Sequence, residues 1–189
     1  TVICADGRYV TQVAEQVPDL RAEIDRPSAL HLLGSGISGR GTRVGFESHV
    51  VTVDAHRAWA ELDGGLELVR APGVVESLRM VKDEYEVGVL RDACRAADDA
   101  LAELLSGGGI RAGRTEREVA RELESLMLDH GADAVSFETI VAAGANSAVP
   151  HHRPTDAVLA EGDFVKLDFG ALVAGYHSDM TRAFVVGEP

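Results

Sequence analysis

Basic residues are scarce in this sequence: 18 Lys and Arg stand against 31 Asp and Glu, a formal net charge of −13 over 189 residues. The clustered cations that neutralise nucleic-acid phosphates or anionic lipid head groups are missing, which argues against both kinds of partner. Cysteine is rarer still. Cys4 and Cys94 stand in no CxxC or zinc spacing and each in an apolar context, so they read as buried free thiols, and a reducing compartment fits. No apolar run approaches the roughly eighteen residues of a membrane span, and the N-terminal stretch has no basic-then-apolar leader. A soluble, cytoplasmic protein is the expectation. Neither repeats nor low-complexity segments occur. What is present, 46% hydrophobic residues, is enough for one good core or two small ones.

The first seventy or so residues alternate strand-like and helix-like pieces. Thr1–Ala5 is β-rich, Tyr9–Val17 has helical apolar spacing, Arg43–Phe46 reads as a strand, Val53–Leu62 as a helix and Leu66–Ala71 as a strand. This is an α/β pattern. Ala71-Pro72-Gly73 breaks it, and the boundary is placed near residue 75, dividing the chain into 1–75 and 76–189. A charged helix is expected over about Asp83–Leu105, with Val87, Leu90, Cys94, Ala97, Leu101 and Leu104 facing inward, stopped by Gly107-Gly108-Gly109. A second begins at the T-x-x-E capping box of Thr115 and Glu118 and ends near Gly131. From Phe137 the pattern turns β-rich.

Gly34–Gly39 matches G-x-G-x-x-G, but a dinucleotide fingerprint opens a helix, and here the chain runs on into the strand at Val44. A loop is the better reading. His31, His49, His56 and His130 stand alone and are expected in ordinary surface or core roles, and His177 in a strand. His151-His152 lies in a Pro-flanked loop between strands, an arrangement that also suits plain surface residues.

Two aspartates are the sharper signal. "KLDFGALVAGYHSD", Lys166–Asp179, puts Asp168 and Asp179 in the two arms of an expected hairpin. A reversal at Val173/Ala174 would set them face to face, with Cβ atoms roughly 4.5–5.5 Å apart. Two carboxylates about 5 Å apart repel by about 3 kcal/mol at an effective dielectric near 20. Either one keeps a proton, or a cation lies between them, and hard divalent cations take such oxygen ligands. The alternative is that one aspartate pairs with Arg182 or Lys166 while the other faces water.

Taken together, these segments resemble a known family. "SFETIVAAGANSAVPHHRPTDAVLAEGDFVKLDFGALVAGYHSDMTRAFVVG", Ser136–Gly187, resembles the Xaa-Pro peptidases (prolidase and aminopeptidase P) of the pita-bread metallopeptidase fold. "VKDEYEVGVLRDACRAADDA" resembles the first helix of that catalytic domain, and "ADGRY" and "RVGFE" resemble pieces of the creatinase/prolidase-type N-terminal domain. The implied fold is an α/β N-terminal domain, in part, followed by the first half of an α+β pita-bread domain.

That resemblance implies Asp168 and Asp179 as metal ligands and His151 as a catalytic residue that contacts substrate and helps move protons. His152 is a weaker substrate-binding candidate, and Thr181 a possible support of the ligand shell. It also implies two divalent metal ions, manganese, cobalt or zinc, a substrate peptide with proline at its second position, and a homodimer. The family's other ligands, a histidine and two glutamates, belong to the second half of its catalytic domain and have no match here, so this chain by itself is expected to be inactive. A creatinase-type hydrolase without metal and a non-catalytic peptide-binding module are the rival readings. Retention of both aspartates speaks against each.

Overall fold

The computed structural model describes residues 1–35, 41–62 and 65–187. Contacts divide the chain into two units, Thr1–Val81 and Lys82–Pro189.

The first unit contains two parallel strand pairs. β1 (Val2–Ala5) pairs with β2 (Arg21–Ile24) across the helix α1 (Val10–Gln16), and β3 (Arg43–Phe46) pairs with β4 (Glu67–Arg70) across α3 (Val53–Ala60). Parallel neighbours require such a crossover, and a helix supplies it. α2 (Ser28–Gly34) and α4 (Val74–Met80) complete the unit. The first two positions of the glycine motif close α2, with Gly34 its last residue and Ser35 its C-cap. Gly36–Gly39 lie outside the described residues.

The second unit opens on α5 (Glu84–Ser106). Asp83 caps it reciprocally: its carboxylate accepts from the Glu86 N–H at 2.9 Å, and Glu86 accepts from the Asp83 N–H at 2.8 Å. The buried stripe is Val89, Ala93, Ala96, Ala97, Ala100, Leu101 and Leu104. This corrects the expected face at its N-terminal end, where Cys94 is exposed and Val87 and Leu90 only half-buried. Cys4 is likewise half-buried, so neither thiol is the buried one expected. Alanines turn inward because they let other segments come close. Ser178 Oγ lies 3.1 Å from the Ala93 carbonyl, and α5 packs on both α6 and the end of the hairpin described below.

α6 (Glu116–Asp129) carries the expected capping box, Thr115 Oγ1 accepting from the Glu118 N–H at 3.2 Å and Glu118 from the Thr115 N–H at 2.8 Å. Gly131, at φ +97°, follows its end. α6 packs on an antiparallel sheet of order β10-β7-β6, formed by β6 (Ile140–Ala143), β7 (Phe164–Phe169) and β10 (Met180–Val185). Leu104, Val119, Leu123 and Met127 from the helices meet Val141, Val165, Leu167 and Phe169 from the strands in one core. β7 alternates strictly. Val165, Leu167 and Phe169 are buried, and Lys166 and Asp168 point to the other face.

Beyond Phe169 the hairpin continues as β8 (Ala171–Val173) and β9 (Tyr176–His177), in a second sheet with β5 (Ala134–Val135). The chain reverses at Ala174-Gly175, both at positive φ (46° and 84°), between the paired Val173 and Tyr176. That is the two-residue hairpin geometry whose twist suits the strands. Gly170 sits where the segments cross: a Cβ there would lie 1.9 Å from the Ser178 carbonyl oxygen.

The β6–β7 connection folds around a buried acid. Glu116 is fully buried, yet its Oε1 accepts from the Ala143 N–H (2.9 Å) and Asn146 Nδ2 (3.0 Å). Its Oε2 accepts from His152 Nε2 (2.8 Å), the Thr155 N–H (3.0 Å) and Thr155 Oγ1 (2.8 Å). Burial pushes the carboxyl pKa up. The bonds from Ala143, Asn146, His152 and Thr155 outweigh it and bring it down to about 2.

Gly170→Ala is therefore expected to destabilise the chain by about 3 kcal/mol, at the upper end of overpacking costs, because the obstacle is backbone. An unchanged denaturant midpoint would contradict the crossing geometry. For Glu116 the folded pKa lies below the unfolded value, so its stabilisation is full above about pH 4.5 and is lost as pH falls toward about 2. The loss amounts to roughly 3 kcal/mol. Acid titrations of wild type and Glu116→Gln should differ in that window, with the variant starting less stable and showing the shallower fall.

Candidate metal and histidine cleft

One cleft of about 900 Å³ brings the expected site residues together: His151, His152, Asp168 and Asp179 all line it. Asp168 reaches it from the solvent side of β7, and Asp179 from the residue before β10. His151 and His152 enter on the loop that Glu116 holds. α6 contributes Arg117, Arg121 and Glu124 to another part of the wall.

The expected face-to-face pairing of the aspartates is corrected in register. Asp168 pairs with Thr181, and Met180 with Phe169, which puts Asp179 opposite Gly170. The turn lies one residue later than the midpoint reasoning placed it, and each residue of turn displacement moves the pairing by two. A shift of two keeps both acids on one face as diagonal neighbours, about 7–8 Å apart by ordinary sheet geometry. Thr181 is the residue actually opposite Asp168, and its Oγ1 donates to Asp168 Oδ1 at 3.2 Å.

Both acids lack a cationic partner among the described residues. Lys166 Nζ donates instead to the carbonyls of Val149 (2.8 Å) and Pro150 (3.2 Å). Arg182 reaches Asp98 at 4.0 Å and donates to the Thr181 carbonyl at 2.9 Å. The alternative of an aspartate neutralised by either of these cations is not what the structure contains. Two unpaired carboxylates on one face of the hairpin, one on β7 and steadied by a neutral hydroxyl, the other just before β10, suit a hard divalent cation.

The two histidines are held differently. His151 is exposed and lines the cleft, while His152 is mostly buried and bound to Glu116. Since that carboxylate oxygen accepts, His152 Nε2 is the donor in this bond. Thr139, also in the wall, has a buried Oγ1 without a hydrogen-bond partner among the described residues.

Sequence reasoning missed Glu116, and it weighed Lys166 only as a partner for an aspartate. The T-x-x-E box hinted that α6 begins at Thr115 but said nothing of the acid between. In the first unit, Glu47, His49 and Glu76 have possible ligand atoms within 4.8 Å of one another. His49 and Glu76, both exposed, already share a 2.9 Å hydrogen bond. Three other histidines have ordinary partners too: His31 meets Glu23 and Asp25, His130 meets Glu103, and His177 meets Ser136.

Known proteins resemble this chain in sequence and fold. The family model described as Metallopeptidase family M24 matches residues 88–189, and that of the Creatinase/Prolidase N-terminal domain matches residues 1–81. An uncharacterized peptidase of Bacillus subtilis, YqhT, is 36% identical over 97% of this chain and 52% of its own length. A Xaa-Pro dipeptidase of Pyrococcus horikoshii is 40% identical over 65% of this chain and 34% of its own. Among solved structures, a Xaa-Pro dipeptidase from Bacillus anthracis superposes with a TM-score of 0.86 at 36% identity, covering 98% of this chain and 52% of that one. The prolidase from Pyrococcus furiosus gives 0.83 at 28% identity, covering 100% and 53%. The chain thus spans about half the length of the relatives that match it end to end. The fold is the expected one, a creatinase/prolidase-type unit followed by part of a pita-bread unit. With a family model matching more than half of its residues, including the whole neighbourhood of the cleft, the chain belongs to metallopeptidase family M24.

Proposed function

We propose that this chain forms one wall of a peptidase site that hydrolyses short peptides with proline at the second position, in the manner of a Xaa-Pro dipeptidase. The observation that carries the reading is the pair of carboxylates, Asp168 and Asp179, on one face of the hairpin and in one cleft with His151, neither of them paired with a cation among the described residues, while Lys166 on the same face is engaged by two backbone carbonyls.

In this reading Asp168 and Asp179 hold divalent metal, which when bound polarises the peptide carbonyl and lowers the pKa of water. The metal is manganese, cobalt or zinc, two ions per site in a chain of full family length. The Thr181 hydroxyl keeps one lone pair of Asp168 occupied and so limits how the carboxylate can rotate. His151, exposed in the cleft, exchanges protons with the reacting peptide, a task for which imidazole is suited near neutral pH. A metal-independent creatinase-type reaction would have no use for two bare acids side by side. A homodimer belongs to the same proposal and rests on the family resemblance, and a cytoplasmic location on the scarcity of cysteine. Among the described residues no helix is long and apolar enough to cross a membrane.

Asp168→Ala and Asp179→Ala, made in the protein at the full length of its relatives, are each expected to abolish turnover of a Xaa-Pro dipeptide and to lower the metal content of the purified protein. The fold should survive, because both side chains lie off the core. Undiminished hydrolysis in both variants would end the metallopeptidase reading. A preference for longer peptides beginning Xaa-Pro would move the assignment from dipeptidase to aminopeptidase.

A further inference from the structure

His151 itself makes no hydrogen bond among the described residues, yet the residues on either side of it are tied down. On its N-terminal side, Lys166 Nζ binds the carbonyls of Val149 and Pro150. On its C-terminal side, Glu116 binds His152 and, through two donors, Thr155. Lys166 and Asp168 project from the same face of β7, two residues apart, so about 7 Å separates their Cα atoms along the strand.

We infer that Lys166 and Glu116 are positioning residues for His151. They hold the peptide segment that carries it from both sides, and one strand thereby sets the spacing between the histidine and the candidate ligand Asp168. The inference rests on the reading of His151 as the proton-transferring group. The physical need is plain. An unanchored loop residue gives up backbone entropy each time it takes a defined place, and a misplacement of about 1 Å can lower a rate by up to a hundredfold. Clamping the neighbours supplies that order while leaving the imidazole of His151 free for the reacting peptide. The clamps are unlike in kind. Glu116 is buried and ionised and also supports the fold, whereas Lys166 reaches across the surface to two carbonyls and supports little else.

The test uses the protein at the full length of its relatives, with Lys166→Met, Glu116→Gln and His151→Ala made singly and each positioning change combined with His151→Ala. Lys166→Met is expected to lower kcat on the order of tenfold with KM nearly kept, within the range a small misplacement can produce. In the His151→Ala background it should cost less than about twofold, since there is no imidazole left to place. Equal losses in both backgrounds would overturn the proposal, as would a harmless His151→Ala. Amide hydrogen exchange gives a readout that needs no turnover. Residues 149–152 should exchange faster in Lys166→Met while the global unfolding midpoint holds, and unchanged exchange would overturn the clamp. A wild type that hydrolyses no Xaa-Pro peptide would sink the peptidase reading, and exchange would still decide the clamp. Glu116→Gln repeats the cycle from the other side. If it fails to fold, Lys166→Met carries the test.

Discussion

The side chain of Glu116 is fully buried, and an ionised acid in that position survives only if protein donors replace the solvent. Five donors do so, from Ala143, Asn146, His152 and Thr155. The residue is also the first of α6, where the free N–H groups and the positive end of the helix dipole favour negative charge. The same interaction therefore fastens the end of β6, the long β6–β7 connection and the start of α6 to one point. α6 is in turn fixed on the sheet through Val119, Leu123 and Met127. The position of His152 follows from where that acid sits.

β7 divides the second unit into a packed side and a chemical side. Its inward residues, Val165, Leu167 and Phe169, are fully buried and bind the helices to the sheet. Its outward residues, Lys166 and Asp168, face the segment where the site residues gather. Because the alternation of a strand is rigid, packing on one side determines placement on the other: a shift of one residue would exchange Asp168 with Leu167 or Phe169. Gly170 protects that register from the far end. Only a residue without a side chain fits against the Ser178 backbone where the hairpin passes from one sheet to the other.

Local signals in the sequence were read well because their physics is local. Capping boxes satisfy backbone N–H groups within four residues, so Thr115–Glu118 marked the start of α6, and glycines marked both helix ends. The inward face of α5 was read less well. Hydrophobic patterning gives weight to large side chains, while the helix turns Ala93, Ala96 and Ala100 inward to allow close approach. That rotation left Cys94 in solvent. β2 (Arg21–Ile24) was missed since its residues are mostly exposed and polar and follow no apolar alternation. Asp168 and Asp179 were legible as a pair on one face, but their register depended on a two-residue turn using an alanine at positive φ, which composition does not announce. Glu116 was illegible for a different reason. A saturated buried acid is defined by donors up to 39 positions away, and in the sequence it is one acidic residue among many.

The contrast between Glu116 and the cleft aspartates bears directly on chemistry. All are carboxylates within one unit, and the chain treats them in opposite ways. Glu116 receives every donor it can use and is thereby made inert: its charge is spent on neighbouring N–H and O–H groups, and nothing can reach it. Asp168 receives one hydroxyl, and Asp179 receives nothing among the described residues. Lys166, on the same face of β7 as Asp168, is drawn off to two backbone carbonyls, while Arg182, opposite Leu167, lies on the other face near Asp98. Were these acids merely solvated, Lys166 would be free to lean toward Asp168, since surface pairing is weakly favourable. Instead their negative charge is left concentrated and accessible beside an exposed imidazole. That uneven treatment of one functional group, saturated in the core and bare in the cleft, is the physical argument for reading the cleft as a place that receives a cation.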